Sequence, residues 1–200
     1  MVGMNRTHRA RTLGLIAVFM LVAWSRLGSV ETELQCPDGC KAETRRPGIV
    51  AYELAGTAER ADGILAAWGE EGRAVARRNL ILDFAFLFTY GLFLFLAGRA
   101  LADALPSTAP LPRYLSYGAY GFAWAGAAAA VLDGLENTAL LVMLEKGGST
   151  LLSAMAYTAA SLKFLLVLPA FAFILGVGFF VLSWRLLRKL RGSSTVPADG

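Results

Sequence analysis

Residues 114–144 read YLSYGAYGFAWAGAAAAVLDGLENTALLVML, and Asp133 and Glu136 are the only charged residues among them. A helix needs about 20 mostly apolar residues to cross a lipid bilayer. This segment is long enough, and its many alanines favour helix. It therefore predicts a transmembrane helix that carries two acidic side chains, each of which is costly to place in hydrocarbon.

Three further apolar segments, residues 13–30, 80–98 and 151–184, are also long enough to span a bilayer. Arg26 interrupts the first, but no small-x-small cleavage site follows Trp24, so we interpret it as an uncleaved anchor rather than a signal peptide. The predicted fold class is all-α. It is an integral membrane four-helix bundle with an extracytoplasmic amphipathic helical segment between spans 1 and 2.

The composition of the 200-residue chain agrees with a membrane protein. Hydrophobic residues make up 56% and charged residues 17%, against roughly half and a quarter in globular domains. The net charge is +4, but the basic residues flank apolar segments and form no basic face with interleaved aromatics. A soluble enzyme, a disordered tail and a nucleic-acid partner are therefore excluded. One histidine, His8, and two cysteines leave little for metal or haem chemistry, so no metal or cofactor is predicted.

Basic residues beside the spans predict the orientation, because Lys and Arg concentrate in cytoplasmic loops. With four crossings, the basic clusters before span 1, between spans 2 and 3 and after span 4 all fall on one side. Both termini of this multi-pass protein are therefore predicted to lie on the cytoplasmic side of the cell membrane. The predicted segments are a cytoplasmic N-terminus (1–12), span 1 (13–30), an extracytoplasmic segment (31–79), span 2 (80–98), a cytoplasmic loop (99–113), span 3 (114–144), an outer turn (145–150), span 4 (151–184) and a cytoplasmic tail (185–200).

The extracytoplasmic segment 31–79 contains two cysteines around a turn sequence, Cys36-Pro-Asp-Gly-Cys40. An oxidising compartment favours a local disulfide between them. A redox-active pair is the alternative, although the spacing is not that of thioredoxin-like sites. Apolar residues recur among charges from 48 to 78, and Thr57 marks a helix start. We therefore predict amphipathic helices that lie on the membrane or cap the bundle.

Polar residues inside the apolar segments are the main functional signal, because such residues normally face the bundle interior or a water-filled cavity. Counting 1.5 Å per residue from the predicted cytoplasmic boundary of each span places the ionisable residues about 22 to 34 Å from that boundary. They therefore lie in the outer part of the membrane. Four helices thus bring charge to one layer. The ionisable residues are Arg26, Asp83, Asp133, Glu136 and Lys163, and their uncharged companions are Tyr90, Asn137 and Tyr157.

Helical spacing supports this convergence. Asp133 and Asn137 lie at i and i+4 on one face of span 3, and Glu136 lies beside them. Small residues form two ridges on the same helix, which allow close helix approach in lipid: Gly126, Ala130 and Gly134, and Ala119, Ala123 and Ala127. We therefore predict that span 3 is the central packing helix and that Lys163 of span 4 meets Asp133 or Glu136.

Short motifs between residues 50 and 170 resemble those of a group of uncharacterised small bacterial four-span integral membrane proteins. They are the Asp-x-x-Glu-Asn motif at 133–137, the Lys163-Phe164 pair, and the segments Glu53-Leu54-Ala55, Trp68-Gly69 and Leu82-Asp83-Phe84. The resemblance implies a bacterial protein of the cytoplasmic membrane. It implies no activity and no ligand.

Three functional hypotheses remain open from the sequence. In the first, the charged residues form a structural ion-pair network in a membrane scaffold or interaction protein. In the second, they bind a lipid or another amphiphile from the outer leaflet. The predicted ligand-binding residues are Arg26, Asp83, Tyr90, Asp133, Glu136, Asn137, Tyr157 and Lys163.

The third hypothesis is an intramembrane isomerase or proton-transfer enzyme. Glu136 would be its general acid or base, Asp133 would tune that carboxyl, and Lys163 would stabilise negative charge. Membrane lipid is a predicted partner in every case. A partner membrane protein or a second copy of the chain is a further prediction.

Overall fold

The computed structural model describes residues 6–37, 45–105 and 110–193, and no strand occurs among them. Five helices follow one another along the chain. They are α1 (Arg6–Gln35), α2 (Ile49–Glu53), α3 (Ala58–Ala104), α4 (Pro110–Lys146) and α5 (Thr150–Ser193). All of them except the short α2 are long and apolar enough to cross a membrane.

The helix α4 lies at the centre of the bundle. It packs along α3 on one side and along α5 on the other, while α1 packs against α3. Among the four long helices, α4 has the largest buried share of its apolar window, 44%, and α1 has the smallest, 6%. The predicted fold class, an all-α four-helix membrane bundle, is confirmed.

The close contact between α3 and α4 depends on small residues, as the sequence predicted. A Cβ atom on Gly98 of α3 would lie 2.8 Å from both the carbonyl oxygen of Ala119 and the Cβ of Ala123. Farther along, Leu94 of α3 packs on Gly126 of α4. Gly134, the last member of the predicted ridge, has no such neighbour within 4 Å, so the ridge is used over only part of its length. In lipid, the hydrophobic effect does not drive helices together, so their association depends on close packing of the backbones.

The segment between spans 1 and 2 is more helical than the sequence indicates. The helix α1 continues to Gln35, and α3 begins at Ala58 and runs without a loop into span 2. Thr57 caps α3 and accepts a hydrogen bond from the backbone N–H of Arg60, which confirms the predicted helix start. Within α3, the backbone turns at Gly69 (φ 62°). The predicted amphipathic segment and span 2 therefore belong to one kinked helix, whose bend at Gly69 lies within the amphipathic segment.

The short helix α2 is fixed on one end of the bundle by hydrogen bonds from three sides. The Glu31 carboxylate accepts a hydrogen bond from the backbone N–H of Ile49 at 3.2 Å. The Tyr52 hydroxyl donates to the carbonyl of Leu140 at 3.2 Å, and the Trp68 indole N–H donates to the carbonyl of Pro47 at 2.7 Å. We call this end of the molecule the α2 end.

Of the two cysteines, Cys36 is disulfide-bonded. Cys40, its predicted partner, lies outside the described residues.

Candidate functional site

Lys163 is the centre of a buried polar cluster near the α2 end. It stands on the small-residue face of α5, next to the buried Ala159 and Ala160, and its Nζ lies 2.8 Å from Oδ1 of Asp133 and 2.8 Å from Oε2 of Glu136. The lysine is only 6% exposed and Glu136 is fully buried. Two carboxylates of α4 therefore pair with one ammonium of α5 inside the bundle.

Two hydrogen bonds between α3 and α4 extend this cluster. The Tyr90 hydroxyl donates to Oδ2 of Asp133 at 2.9 Å. The side-chain amide of Asn137 donates to Oδ2 of Asp83 at 2.6 Å. Because a carboxylate accepts and cannot donate, both bonds fix the orientation of their donor side chain.

Glu53 of α2 is a member of the cluster that sequence reasoning did not place there. Its Oε2 lies 3.6 Å from Nζ of Lys163, and the residue is 7% exposed. Burial raises the pKa of the Glu53 carboxyl above its ordinary value, although the ammonium of Lys163 opposes the rise. The Glu53-Leu54-Ala55 motif was the one sequence feature that pointed to Glu53. Because Glu53 lies outside every predicted span, only the docking of α2 on the bundle brings it to Lys163.

A cavity of about 710 Å³ begins at the polar cluster and runs along the bundle. This volume lies within the usual range of roughly 300–1,000 Å³ for small-ligand sites. Its polar lining residues lie toward the α2 end, where Ile49, Val50 and Leu80 also line it, and the rest of the lining is apolar. The polar lining residues include Glu31, Glu53, Asn79, Asp83, Tyr90, Asp133, Asn137 and Lys163, and the apolar ones include Met20, Leu21, Trp24, Leu27, Phe86, Phe164, Val167, Leu168 and Phe171.

The cavity lies between α1 and α5, two helices that line opposite sides of it. In the described part of the chain, α1 packs on α3 and α5 packs on α4, whereas α1 and α5 are not packed together as neighbours. A gap between two apolar helices faces acyl chains when the bundle lies in a bilayer.

The structure brings six of the eight predicted ligand-binding residues together: Asp83, Tyr90, Asp133, Glu136, Asn137 and Lys163. Arg26 is exposed and lines a separate shallow groove on α1 with Val18, Leu21, Val22 and Ser25. Tyr157 is 48% exposed, and its ring lies beside Gly56, ahead of α3. Neither of these two residues lines the cavity, because each projects from a different face of its helix.

Four buried carboxylate or amide oxygens of the cluster accept no hydrogen bond from the described residues: Oε2 of Glu53, Oε1 and Oε2 of Glu136 and Oδ1 of Asn137. Two of them, Oε2 of Glu53 and Oε2 of Glu136, are ion-paired with Lys163. Glu53 and Asn137 line the cavity, whereas Glu136 does not. Oδ1 of Asn137 is thus an acceptor of the cavity lining with neither a hydrogen bond nor an ion pair. Such atoms are rare in folded proteins and each needs an explanation.

Among the described ranges, no group of three or more His, Cys, Asp or Glu residues is placed to hold a metal ion. No family model, curated protein or solved structure matches the chain. The functional interpretation rests on the geometry of the cluster and the cavity.

Proposed function

We propose that the protein binds a lipid or another membrane amphiphile in the cavity between α1 and α5. The polar head of the ligand lies against Glu53, Asp83 and Asn137, and its chain lies along the apolar walls. One observation carries the proposal: a 710 Å³ cavity joins a buried charged cluster to an apolar channel, on the side where α1 and α5 are not packed together.

A purely structural network accounts for less of this arrangement. The pairing of Lys163 with Asp133 and Glu136 holds α4 to α5 and needs no cavity. It leaves Oδ1 of Asn137, a residue of the cavity lining, without a hydrogen-bond partner. Structural networks usually satisfy their members, because a half-satisfied network is destabilising.

An acid–base enzyme is also less well supported. Glu136, the general acid or base of that hypothesis, is fully buried and does not line the cavity. A general base must be within hydrogen-bond reach of the proton that it removes, so Glu136 is poorly placed for chemistry on a ligand in this cavity.

The proposed setting is the cytoplasmic membrane of a bacterium, with both termini in the cytoplasm and the polar cluster in the outer leaflet. Arg9 of α1 pairs with Asp103 of α3 at 3.1 Å, at the end of the bundle opposite α2. Basic residues flank the spans at that same end, and the positive-inside rule supports assigning that end to the cytoplasm. A partner membrane protein or a second copy of the chain remains a prediction.

Photolabelling with headgroup variants of one chain tests the proposal. The probes are dodecyl chains with a mid-chain diazirine and an amine, trimethylammonium, hydroxyl or sulfate head, added to the full-length protein in phosphatidylcholine vesicles. Labelling by at least one probe should saturate at Phe164 and Phe171, which line the cavity.

Exposed residues of the same helix provide the internal control. Leu175 and Phe179 of α5 are exposed and do not line the cavity, so their labelling should rise linearly with probe concentration. If every probe labels Phe164 and Phe171 linearly as well, the proposed function is wrong.

A further inference from the structure

The cluster contains more acidic than basic side chains. The carboxyls of Glu53, Asp133 and Glu136 surround one ammonium, that of Lys163, and Asp83 joins the cluster through its hydrogen bond from Asn137. Glu31 adds a further carboxylate to the cavity lining. An anionic headgroup such as a phosphate would meet this negative charge at short range, where the low dielectric of the interior strengthens repulsion.

The one cation of the cluster is already occupied. Lys163 has three N–H donors, and three carboxylates lie within 3.6 Å of its Nζ, from Asp133, Glu136 and Glu53. Its three ion pairs engage this ammonium, and Asp133 accepts a hydrogen bond from it. The lysine therefore neutralises part of the cluster and is not an anion-binding residue.

The groups that remain open to the cavity are acceptors. Oδ1 of Asn137 and Oε2 of Glu53 receive no hydrogen bond, both residues are more than nine-tenths buried, and both line the cavity. The amide of Asn137 is held in this orientation because its N–H donates to Asp83. A matching headgroup must donate hydrogen bonds.

We infer that the amphiphile carries a primary ammonium head, which binds among Glu53, Asp83 and Oδ1 of Asn137. This inference rests on the proposed function and names the chemistry of its ligand. A protonated primary amine supplies both features that the site lacks, positive charge and three N–H donors. Hydrogen bonds between charged partners are also the strong ones.

The four probes of the photolabelling experiment separate this inference from its alternatives. The dodecylamine probe should half-saturate the labelling of Phe164 and Phe171 at a concentration about tenfold lower than the other three, the factor expected for charge-assisted hydrogen bonds. If the hydroxyl probe half-saturates the labelling at the same concentration as the amine probe, the site accepts a neutral hydrogen-bond donor equally well. The inference is then wrong.

Two other outcomes also overturn the inference. Equal affinity for the trimethylammonium probe would show that charge acts without N–H donation, and tighter binding of the sulfate probe would reverse the sign of the site. In both cases saturable labelling still supports amphiphile binding. If no probe saturates, the proposed function fails together with the inference.

A variant of the cavity lining adds an independent readout. Asp83→Asn should raise the half-saturating concentration of the amine probe about tenfold and leave the hydroxyl probe unchanged, because it removes a charged partner of the ammonium. Glu59→Gln is the matched control, since Glu59 is an exposed carboxylate of the same helix outside the cavity. Equal amine affinity in the wild type and Asp83→Asn overturns the inference. If Asp83→Asn does not fold, the probe series on the wild-type protein decides.

Discussion

Lys163 holds together side chains from three helices, and its removal would leave their carboxylates facing each other. Its ammonium pairs with Asp133 and Glu136 of α4 at 2.8 Å and approaches Glu53 of α2 at 3.6 Å. Each of these residues is less than a tenth exposed. Because buried charges are expensive unless they are paired, the lysine is required for the three acids to share one site.

Replacing this lysine should therefore destabilise the bundle strongly. We expect Lys163→Met to lower the free energy of unfolding by about 3–5 kcal/mol, the usual cost of breaking a buried ion pair from one side. Unfolding in mixed micelles, followed by circular dichroism, measures the loss. Lys146→Met is the control, because Lys146 is exposed at the end of α4, and it should change stability by less than about 1 kcal/mol. Equal stability of the two variants would contradict the role given to Lys163.

Glu53 should make the stability of the protein depend on pH. Burial raises the pKa of its carboxyl, so its effect is most favourable to folding below the ordinary Glu pKa of about 4.3 and is lost as the pH rises through the raised value. The groups that face Glu53 are Lys163, Asp133, Glu136 and Asp83. The wild type and Glu53→Gln both contain these four groups, so the difference in stability between the two proteins reports on Glu53.

The measurement is the thermal unfolding temperature of both proteins across the pH range. The wild type should lose stability relative to Glu53→Gln as the pH rises, because ionised Glu53 is disfavoured in its buried position. A difference between the two proteins that stays constant with pH, or that grows in favour of the wild type, would show that the pKa of Glu53 is not raised.

The sequence predicted the members of this cluster that lie in spans, but not Glu53. Helical spacing places Asp133, Glu136 and Asn137 on adjoining faces of one helix, and the small face of α5 places Lys163 opposite them. No spacing rule relates these residues to Glu53, which reaches the cluster only because Glu31, Tyr52 and Trp68 fix the α2 segment on the bundle. Arg26 and Tyr157 do not line the cavity, because residue counting along a helix does not determine how packing rotates that helix.

At the level of helices, α3 connects the α2 end with the membrane-spanning region. Its first arm packs Ala61, Leu65 and Trp68 into the same core as α2, and its second arm contains Asp83 and Tyr90. Gly69 joins the two arms with a positive φ of 62°. Hydropathy predicted the start of an apolar span near residue 80, yet the arm that contains this span begins directly after Gly69, because amphipathic and apolar sequences can belong to one helix.

The bend at Gly69 should require glycine. We expect Gly69→Ala to cost about 1–2 kcal/mol of stability, because left-handed backbone is unfavourable for a residue with a Cβ. A new Cβ at Gly69 would meet no atom within 4 Å, so the loss would come from the backbone alone. Denaturation in mixed micelles measures it.

Gly63→Ala is the matched control for this substitution. Gly63 lies in the first arm of the same helix, is exposed and also has open space around its Cβ position. Because its φ is negative, alanine should stabilise the helix there by about 0.5–1 kcal/mol. A stabilising effect of alanine at both glycines would show that the arms meet without a bend at Gly69.

At the scale of the whole molecule, the bundle is tight between α3, α4 and α5 and open beside α1. Small residues join α3 to α4, whereas only 6% of the apolar window of α1 is buried. The cavity occupies this open side and ends at the charged cluster. The sequence predicted four spans and a charged layer. The cavity depends on which helices are neighbours, a property that composition and periodicity do not specify.

Native mass spectrometry of protein released gently from its own membrane tests the central claim most directly. The comparison uses two substitutions on α1: Gly28→Phe places an aromatic ring in the cavity lining, and Gly14→Phe places one on the same helix away from the cavity. Neither position has an atom within 4 Å of the new Cβ. The wild type and Gly14→Phe should retain an amphiphile as added mass, and Gly28→Phe should lose it. A wild-type protein without added mass in several mild detergents, or equal occupancy in all three proteins, would contradict the claim.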